Sequence, residues 1–105
     1  MKILVKRTID YYMQSYPDAS YALFNWNCEF AIHKFSNFNE IKAVYRSASI
    51  IGNNRVVFNI KGNAYRLIVS MNFKQAACYI IWFGNHSSYD LINAELIPFD
   101  TRILK

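Results

Sequence analysis

"RVVFNIKGNAYRLIV", Arg55 to Val69, decides the fold class. Two runs rich in Val, Ile, Phe and Tyr flank Lys61, Gly62 and Asn63, a turn composition, so the stretch predicts a β-hairpin. Successive side chains of a strand point to opposite faces. Val56, Phe58 and Ile60 therefore share one face of the first run, opposed by Arg55, Val57 and Asn59. In the second run Tyr65, Leu67, Val69 and Met71 form an apolar face, and Ala64, Arg66, Ile68 and Ser70 a smaller, more polar one. Helices are expected to cover the apolar faces. The other faces are expected to present Arg55, Asn59 and Arg66 together, with Lys61 at the hairpin tip.

Outward from the hairpin, "ASIIG" precedes it and "ACYIIWF" follows, separated from it by the turn compositions "NN" and "NFKQ", which completes an antiparallel meander. "ACYIIWF" is apolar on both faces and suits a central strand. Upstream, Lys2 to Val5 reads as a short strand and Lys6 to Ser15 as a helix. That helix must stop at Tyr16, because Pro17 disfavours helical geometry in the residue before it. Asp18 is expected to cap the next helix, along which Ala19, Ala22, Leu23, Trp26, Phe30 and His33 fall on one face. His33 ends the stripe and reads as a packing residue. Asn37 and Glu40 have the spacing of a capping box, which predicts a third helix through about Tyr45. The sum is an α+β domain over residues 1–105, with N-terminal helices packed on a small, mostly antiparallel sheet.

Composition narrows the function classes. Apolar residues at 53% and aromatics at 17% exclude a disordered chain. No apolar run approaches the ~20 residues of a membrane span. The start "MKILVKRTIDYY" turns charged too soon for a signal peptide, so the expected location is cytoplasmic. Cys28 and Cys78 form no CxxC and have no His at ligand spacing, and read as reduced structural residues rather than metal ligands. The net charge is +5, and its distribution is uneven. Between Glu40 and Asp90 there is no Asp or Glu, whereas the same stretch carries Lys42, Arg46, Arg55, Lys61, Arg66, Lys74 and His86. An acid-free, cation-bearing half predicts a face for phosphate. After the last strand comes "GNHSSYD", where Ser87 or Ser88 is expected to start a helical turn that points His86 and Tyr89 to the same side.

Scarcity of carboxylates in this half argues against two-metal nuclease chemistry, and no Walker lysine loop, GxSxG or HExxH motif occurs. Metal-free RNA cleavage fits the residues present, because the substrate carries its own nucleophile in the 2′-hydroxyl. Such a site needs a group for the 2′ proton, cations for the charge on phosphorus, and an acid for the leaving oxygen. His86 suits proton transfer, Arg66 the phosphate oxygens, Lys61 or Lys74 added charge, and Tyr89 stacking. The same set would also bind RNA without cutting it.

"NRVVFNIKGNAYRLIV" followed by "YIIWFGNHSSYD" resembles the HigB-type toxins of the RelE/ParE superfamily, from bacterial type II toxin–antitoxin modules. The likeness runs from "YPDA" at Tyr16, through the tryptophan helix and "FNEIKAVY", to "NAE" at Asn93 to Glu95. It implies a RelE-like fold and an mRNA interferase that cuts mRNA on the translating ribosome by 2′-hydroxyl attack, without metal or cofactor. It implies as partners mRNA, the ribosome and a cognate HigA-like antitoxin. It also implies catalytic roles for Lys61, Arg66, His86 and Tyr89; Arg55, Lys74 and Asn59 join as RNA-binding residues on charge and placement. Two positions depart from the family pattern: Asn85 replaces a Thr before the histidine and Ser88 a Glu before the tyrosine, with Asp90 as the available substitute carboxylate. The alternatives are a non-catalytic RNA- or ribosome-binding protein and a ParE-like toxin that acts by binding a protein. Pro98 stops any helix in the tail "ELIPFDTRILK", which is expected either to close the sheet edge or to hang free.

Overall fold

Alternation and turn chemistry produce the hairpin in the computed structural model, which describes residues 1–99. Strands β3 (Arg55–Ile60) and β4 (Tyr65–Asn72) pair antiparallel, with Arg55 opposite Ser70 and Ile60 opposite Tyr65. Their connection needs two consecutive residues at positive φ, Lys61 at 54° and Gly62 at 64°. Glycine takes that conformation without a Cβ penalty, which is why the tip reads Lys-Gly. Strand β2 (Ser49–Ile51) lies outside β3, and β5 (Ala77–Asn85) pairs with β4 on the other side. The N-terminal strand β1 (Lys2–Leu4) runs parallel to β5, giving the order β1-β5-β4-β3-β2. The meander is as expected, and β5 has a neighbour on both sides.

Helix α1 (Lys6–Ser15) stops where Pro17 requires. A 3-10 turn over Pro17–Ala19 follows, and α2 (Ser20–Ile32) begins after it. Asp18 does not cap α2: the N-cap position falls on Ala19, with no side-chain bond, and the Asp18 carboxylate instead accepts the Tyr65 hydroxyl. Helix α3 (Phe38–Val44) is capped by Asn37, whose side chain accepts the Glu40 N–H at 3.0 Å. Glu40 reaches back to the N–H of Ser36 at 2.7 Å, one residue beyond the usual reciprocal partner.

The helices cover the face carrying Val56, Phe58, Ile60, Tyr65, Leu67, Val69 and Met71. Phe30 sits at the middle of this layer, stacked on Trp26 at 4.9 Å and edge-on to Phe58 at 5.5 Å. His33 packs as its position suggests, stacked on Phe35 at 4.9 Å. Cys78 is buried and its thiol is pushed up by that burial. Cys28 is exposed on α2, and neither cysteine is in a disulfide. No described helix is long and apolar enough to cross a membrane.

The opposite face is not the open basic surface expected. Val57, Ile68, Ile81 and Trp82 form a second apolar cluster, covered by Tyr89, Ile92, Ala94 and Ile97. A bulge in β5 makes that cluster: Ile68 faces Trp82 but Val69 faces Ile80, so consecutive Ile81 and Trp82 turn to the same side. Arg55, only 9% exposed, donates through Nη1 to the carbonyls of Ala94 at 2.9 Å and Ile97 at 2.7 Å. Asn53 donates to the Glu95 carbonyl at 3.0 Å. Alternation put Arg55 on the correct face, but chain after Asn93 lies over it. The described part of the tail therefore covers a sheet face, and the remainder of the expected tail, residues 100–105, lies outside the described residues.

Arg55 is thus a clamp, and Arg55→Ala leaves two carbonyls without their donor, at a cost of about 1–3 kcal/mol. Urea denaturation should show an unfolding free energy lowered by that amount. An unchanged midpoint would mean that apolar contacts alone hold the segment.

Candidate functional site

Strand register assembles the site at the end of the sheet beyond the hairpin tip. Asn59 lies opposite Arg66, Arg66 opposite Gly84, and Tyr65 opposite Asn85. The chain leaves β5 directly into α4 (His86–Tyr89). Neither Ser87 nor Ser88 starts this turn; Asn85 caps it by accepting the Ser88 N–H at 2.8 Å. The His86 N–H donates to the Ala64 carbonyl at 3.0 Å, tying the turn to the hairpin. Lys61, Arg66, His86 and Tyr89 all belong to this end.

Arg66 is held from its own side of the sheet. Its Nη1 donates to the carbonyls of Asn63 at 2.9 Å and Tyr65 at 3.1 Å, and its guanidinium carbon lies 5.8 Å from the centre of the Tyr89 ring. Tyr89 in turn lies 6.4 Å from Trp82. Trp82 can lie where it does because residue 84 is glycine: a Cβ there would come within 2.6 Å of the indole ring. The guanidinium therefore lies over the Tyr89 ring, which is itself backed by Trp82.

Beside it, His86 Nδ1 is 3.1 Å from Asp90 Oδ2, both side chains about half exposed. A carboxylate at Nδ1 favours the tautomer with the proton there, which leaves Nε2 as the acceptor nitrogen of the ring. Asp90 supplies the carboxylate that Ser88 lacks. Lys61 Nζ is 3.6 Å from Asp18 Oδ2, and the same carboxylate accepts the Tyr65 hydroxyl at 2.7 and 2.8 Å. That hydroxyl and the Lys61 charge hold the Asp18 carboxyl below the usual carboxylate value. The hydrogen bond to Asp18 and burial push Tyr65 up to about 12.

The acid-free stretch is consequently not acid-free in space, because Asp18 and Asp90 enter from either side of it. Nor do its cations share one face. Arg55 is withdrawn into its carbonyl clamp. Lys42 donates to the carbonyls of Arg46 and Ala48 beyond α3. Lys74 sits in the Phe73–Gln75 turn after β4, a strand's length from Arg66, or ~20 Å at ~3.3 Å per residue. Of the three residues added on charge and placement, Asn59 alone stands at the site, its amide donating to Asn63 Oδ1 at 3.3 Å. Asp18 escaped sequence reading because its partner lies 47 positions away. Gly84 did leave a signal, a glycine inside an apolar strand two residues after a tryptophan.

A family model described as HigB_toxin, a RelE-like toxic component of a toxin–antitoxin system, matches residues 19–92. Among curated proteins no match is found. The matched span contains the hairpin, the bulged strand and α4, and leaves out β1 and α1.

The Asp18 link has a definite pH signature. Its carboxyl holds a proton less tightly when folded, so its contribution is complete above the ordinary 3.8 and is lost as pH falls through the lower folded value. Tyr65 runs the other way and weakens the fold only as pH rises towards about 12. Urea midpoints compared between about pH 5 and pH 3 should fall further for the wild type than for Tyr65→Phe, which lacks the hydroxyl. Parallel falls in the two proteins would remove Tyr65 as the cause of the Asp18 shift.

Proposed function

Because the chain belongs to the HigB toxin family, the RelE-like toxic components of toxin–antitoxin systems, we propose that it is an mRNA interferase, a metal-independent endoribonuclease acting on the translating ribosome. A toxin of such a system has an antitoxin partner; a HigA-like protein is the proposed one, and the cytoplasm the proposed location. The observation that carries the reading is that the β4–β5 register sets Arg66 against Tyr89 of the same helical turn that His86 opens.

In the proposed reaction the 2′-oxygen attacks phosphorus and the bond from phosphorus to the 5′-oxygen breaks, leaving a 2′,3′-cyclic phosphate and a 5′-hydroxyl. One proton leaves the 2′-oxygen and one arrives at the 5′-oxygen. His86 is the group suited to proton transfer, through Nε2, while Asp90 fixes its ring. Arg66 offers the phosphate its planar fork, since both backbone bonds use Nη1 alone. Lys61 adds charge from the hairpin tip, and Tyr89 keeps Arg66 aimed while offering an edge for stacking. Half-exposed charges act weakly in water's dielectric. A surface this open therefore favours a site completed by a second body, which is the role assigned to the ribosome.

Inducing the wild type, Arg66→Ala and His86→Ala in a bacterial host without antitoxin, with mRNA 5′ ends mapped and growth followed, tests the reading. New ends inside coding regions should disappear with Arg66→Ala. With His86→Ala they should fall by about 10²–10⁴, the usual contribution of a positioned proton carrier. Growth arrest without new ends would replace cleavage by a binding mode of toxicity.

A further inference from the structure

Helix α2 is apolar on two opposite sides. Leu23, Trp26 and Phe30 face the core and are buried. At the same three- and four-residue spacing, Tyr21, Phe24, Cys28 and Ile32 point the other way; Tyr21 is 77%, Phe24 48% and Ile32 83% exposed. The one charged residue of α2, Glu29, lies to the side of this stripe. A helix that is apolar all round is ordinarily buried, yet the described residues leave the outer stripe uncovered. Beside it, α1, α2 and β1 enclose a cleft of about 470 Å³, lined by Ile3, Ile9, Met13 and Ala31 and joined to the stripe through Phe24. Arg66 stands on the opposite face of the sheet, so neither the stripe nor the cleft takes part in the mechanism above.

Charge limits the occupant. Lys6 and Asp10 line the cleft, and both are exposed. They stand four apart on α1 with the cation nearer the N-terminus, the weaker order for a pair within one helix. Among the described residues the ion pairs are Lys61 with Asp18 and His86 with Asp90, so Lys6 and Asp10 both remain free. A partner of one sign would satisfy only one of them. A second copy of this chain satisfies both, because a two-fold axis brings Lys6 of each copy to Asp10 of the other. Lys2, at the β1 end of the cleft, falls outside that exchange. The apolar stripe obeys the same axis: crossing α2 between Trp26 and Asn27, it sets Tyr21 against Ile32 and Asn25 against Cys28 of the other copy. Exchange of Lys6 with Asp10 places the axis at Thr8 on α1. Thr8 and Asn27 lie about equally far from Asp18, in the short turn that folds α1 back on α2, so one axis serves both helices. Area agrees as well. A standard interface buries ~800 Å² per partner, a little over half of it apolar. At ~150–250 Å² for a whole aromatic side chain, Tyr21 and Phe24 leave roughly 250 Å² in water, and Ile32, Cys28 and the cleft walls add to it.

We propose that the chain pairs with a second copy of itself through the outer face of α2 and the cleft between α1 and α2, about one two-fold axis that sets the two α2 helices antiparallel. Arg66 of each copy is left facing outward, and the pairing holds whether or not the chain cuts RNA. The net charge of +5 on each copy opposes association, which sets the expected dissociation constant on the order of 10 μM.

Sedimentation velocity of the 105-residue chain, at concentrations from about 1 to 100 μM on either side of that constant, provides the test. The wild type should pass from monomer to dimer across the range, and Phe24→Glu should stay monomeric throughout. Lys6→Asp and Asp10→Lys, both at exposed positions, should each weaken pairing about tenfold, and the two together should restore it. Circular dichroism checks that each variant is folded. A second measurement needs no altered charge. Cys28 of the two copies would lie ~10 Å apart across the packed helices, so a bismaleimide of that length should link them, whereas Cys78 is buried. A wild type that stays monomeric at every concentration would overturn the inference and leave this face to the antitoxin. So would a dimer that Phe24→Glu does not dissolve, a double exchange that pairs no better than the single ones, or a dimer without the Cys28 link.

Discussion

A one-residue slip between β3 and β4 would turn Arg66 into the aromatic layer and bring Leu67 out beside Asn59, since side chains alternate along a strand. The slip is blocked from both sides. Leu67, Val69 and Val56 are fully buried under the helices, and Ile68 is fully buried under the C-terminal segment. The Lys61–Gly62 tip, with both residues at positive φ, fixes the loop length that sets the register. Everything at the candidate site inherits this register. Gly84 and Asn85 meet Arg66 and Tyr65 only because β5 is in turn aligned on β4.

The second apolar face makes the alignment functional. An uninterrupted alternation in β5 would put Ile81 and Trp82 on opposite faces, whereas the bulge sends both to the same one. Trp82 then spans Gly84 and backs Tyr89, which backs Arg66. The segment through Ile97 seals this stack, and Arg55 holds the segment down. Two arginines one strand apart thus do different work: the one under the chain is structural, and the one beyond its cover faces outward.

Local signals account for what was legible in the sequence. The Lys61–Gly62 tip, the Pro17 stop, the Asn37 cap and the alternation of β3 and β4 are rules of a few residues, and they gave the hairpin, the helices and the placement of Arg66 and Tyr89. Arg55 and Lys74 misled because charge along a sequence carries no information about which end of a strand a residue occupies or what later chain covers it. Asp18 was hidden for a similar reason: a capping position and a partner for a distant tyrosine look alike until the 3-10 turn shifts the helix start to Ser20. The bulge leaves no mark in an apolar run such as "ACYIIWF", where every residue suits either face.

Two carboxylates among the cations look like a defect in a surface meant for phosphate, yet their strengths differ from those of the other contacts. Exposed ion pairs such as Lys61 with Asp18 are worth only about 0–1 kcal/mol. An arriving phosphate can therefore take Lys61 at little cost, while Asp18 stays behind on the Tyr65 hydroxyl, which holds both its oxygens. Arg66 has no such freedom, since Nη1 is bound to backbone carbonyls and the ring of Tyr89 lies against the guanidinium. On the proposed reading, Arg66 defines where phosphorus sits and Lys61 closes on it afterwards. The Asp18 carboxylate then serves to park a lysine at the hairpin tip until the strand arrives.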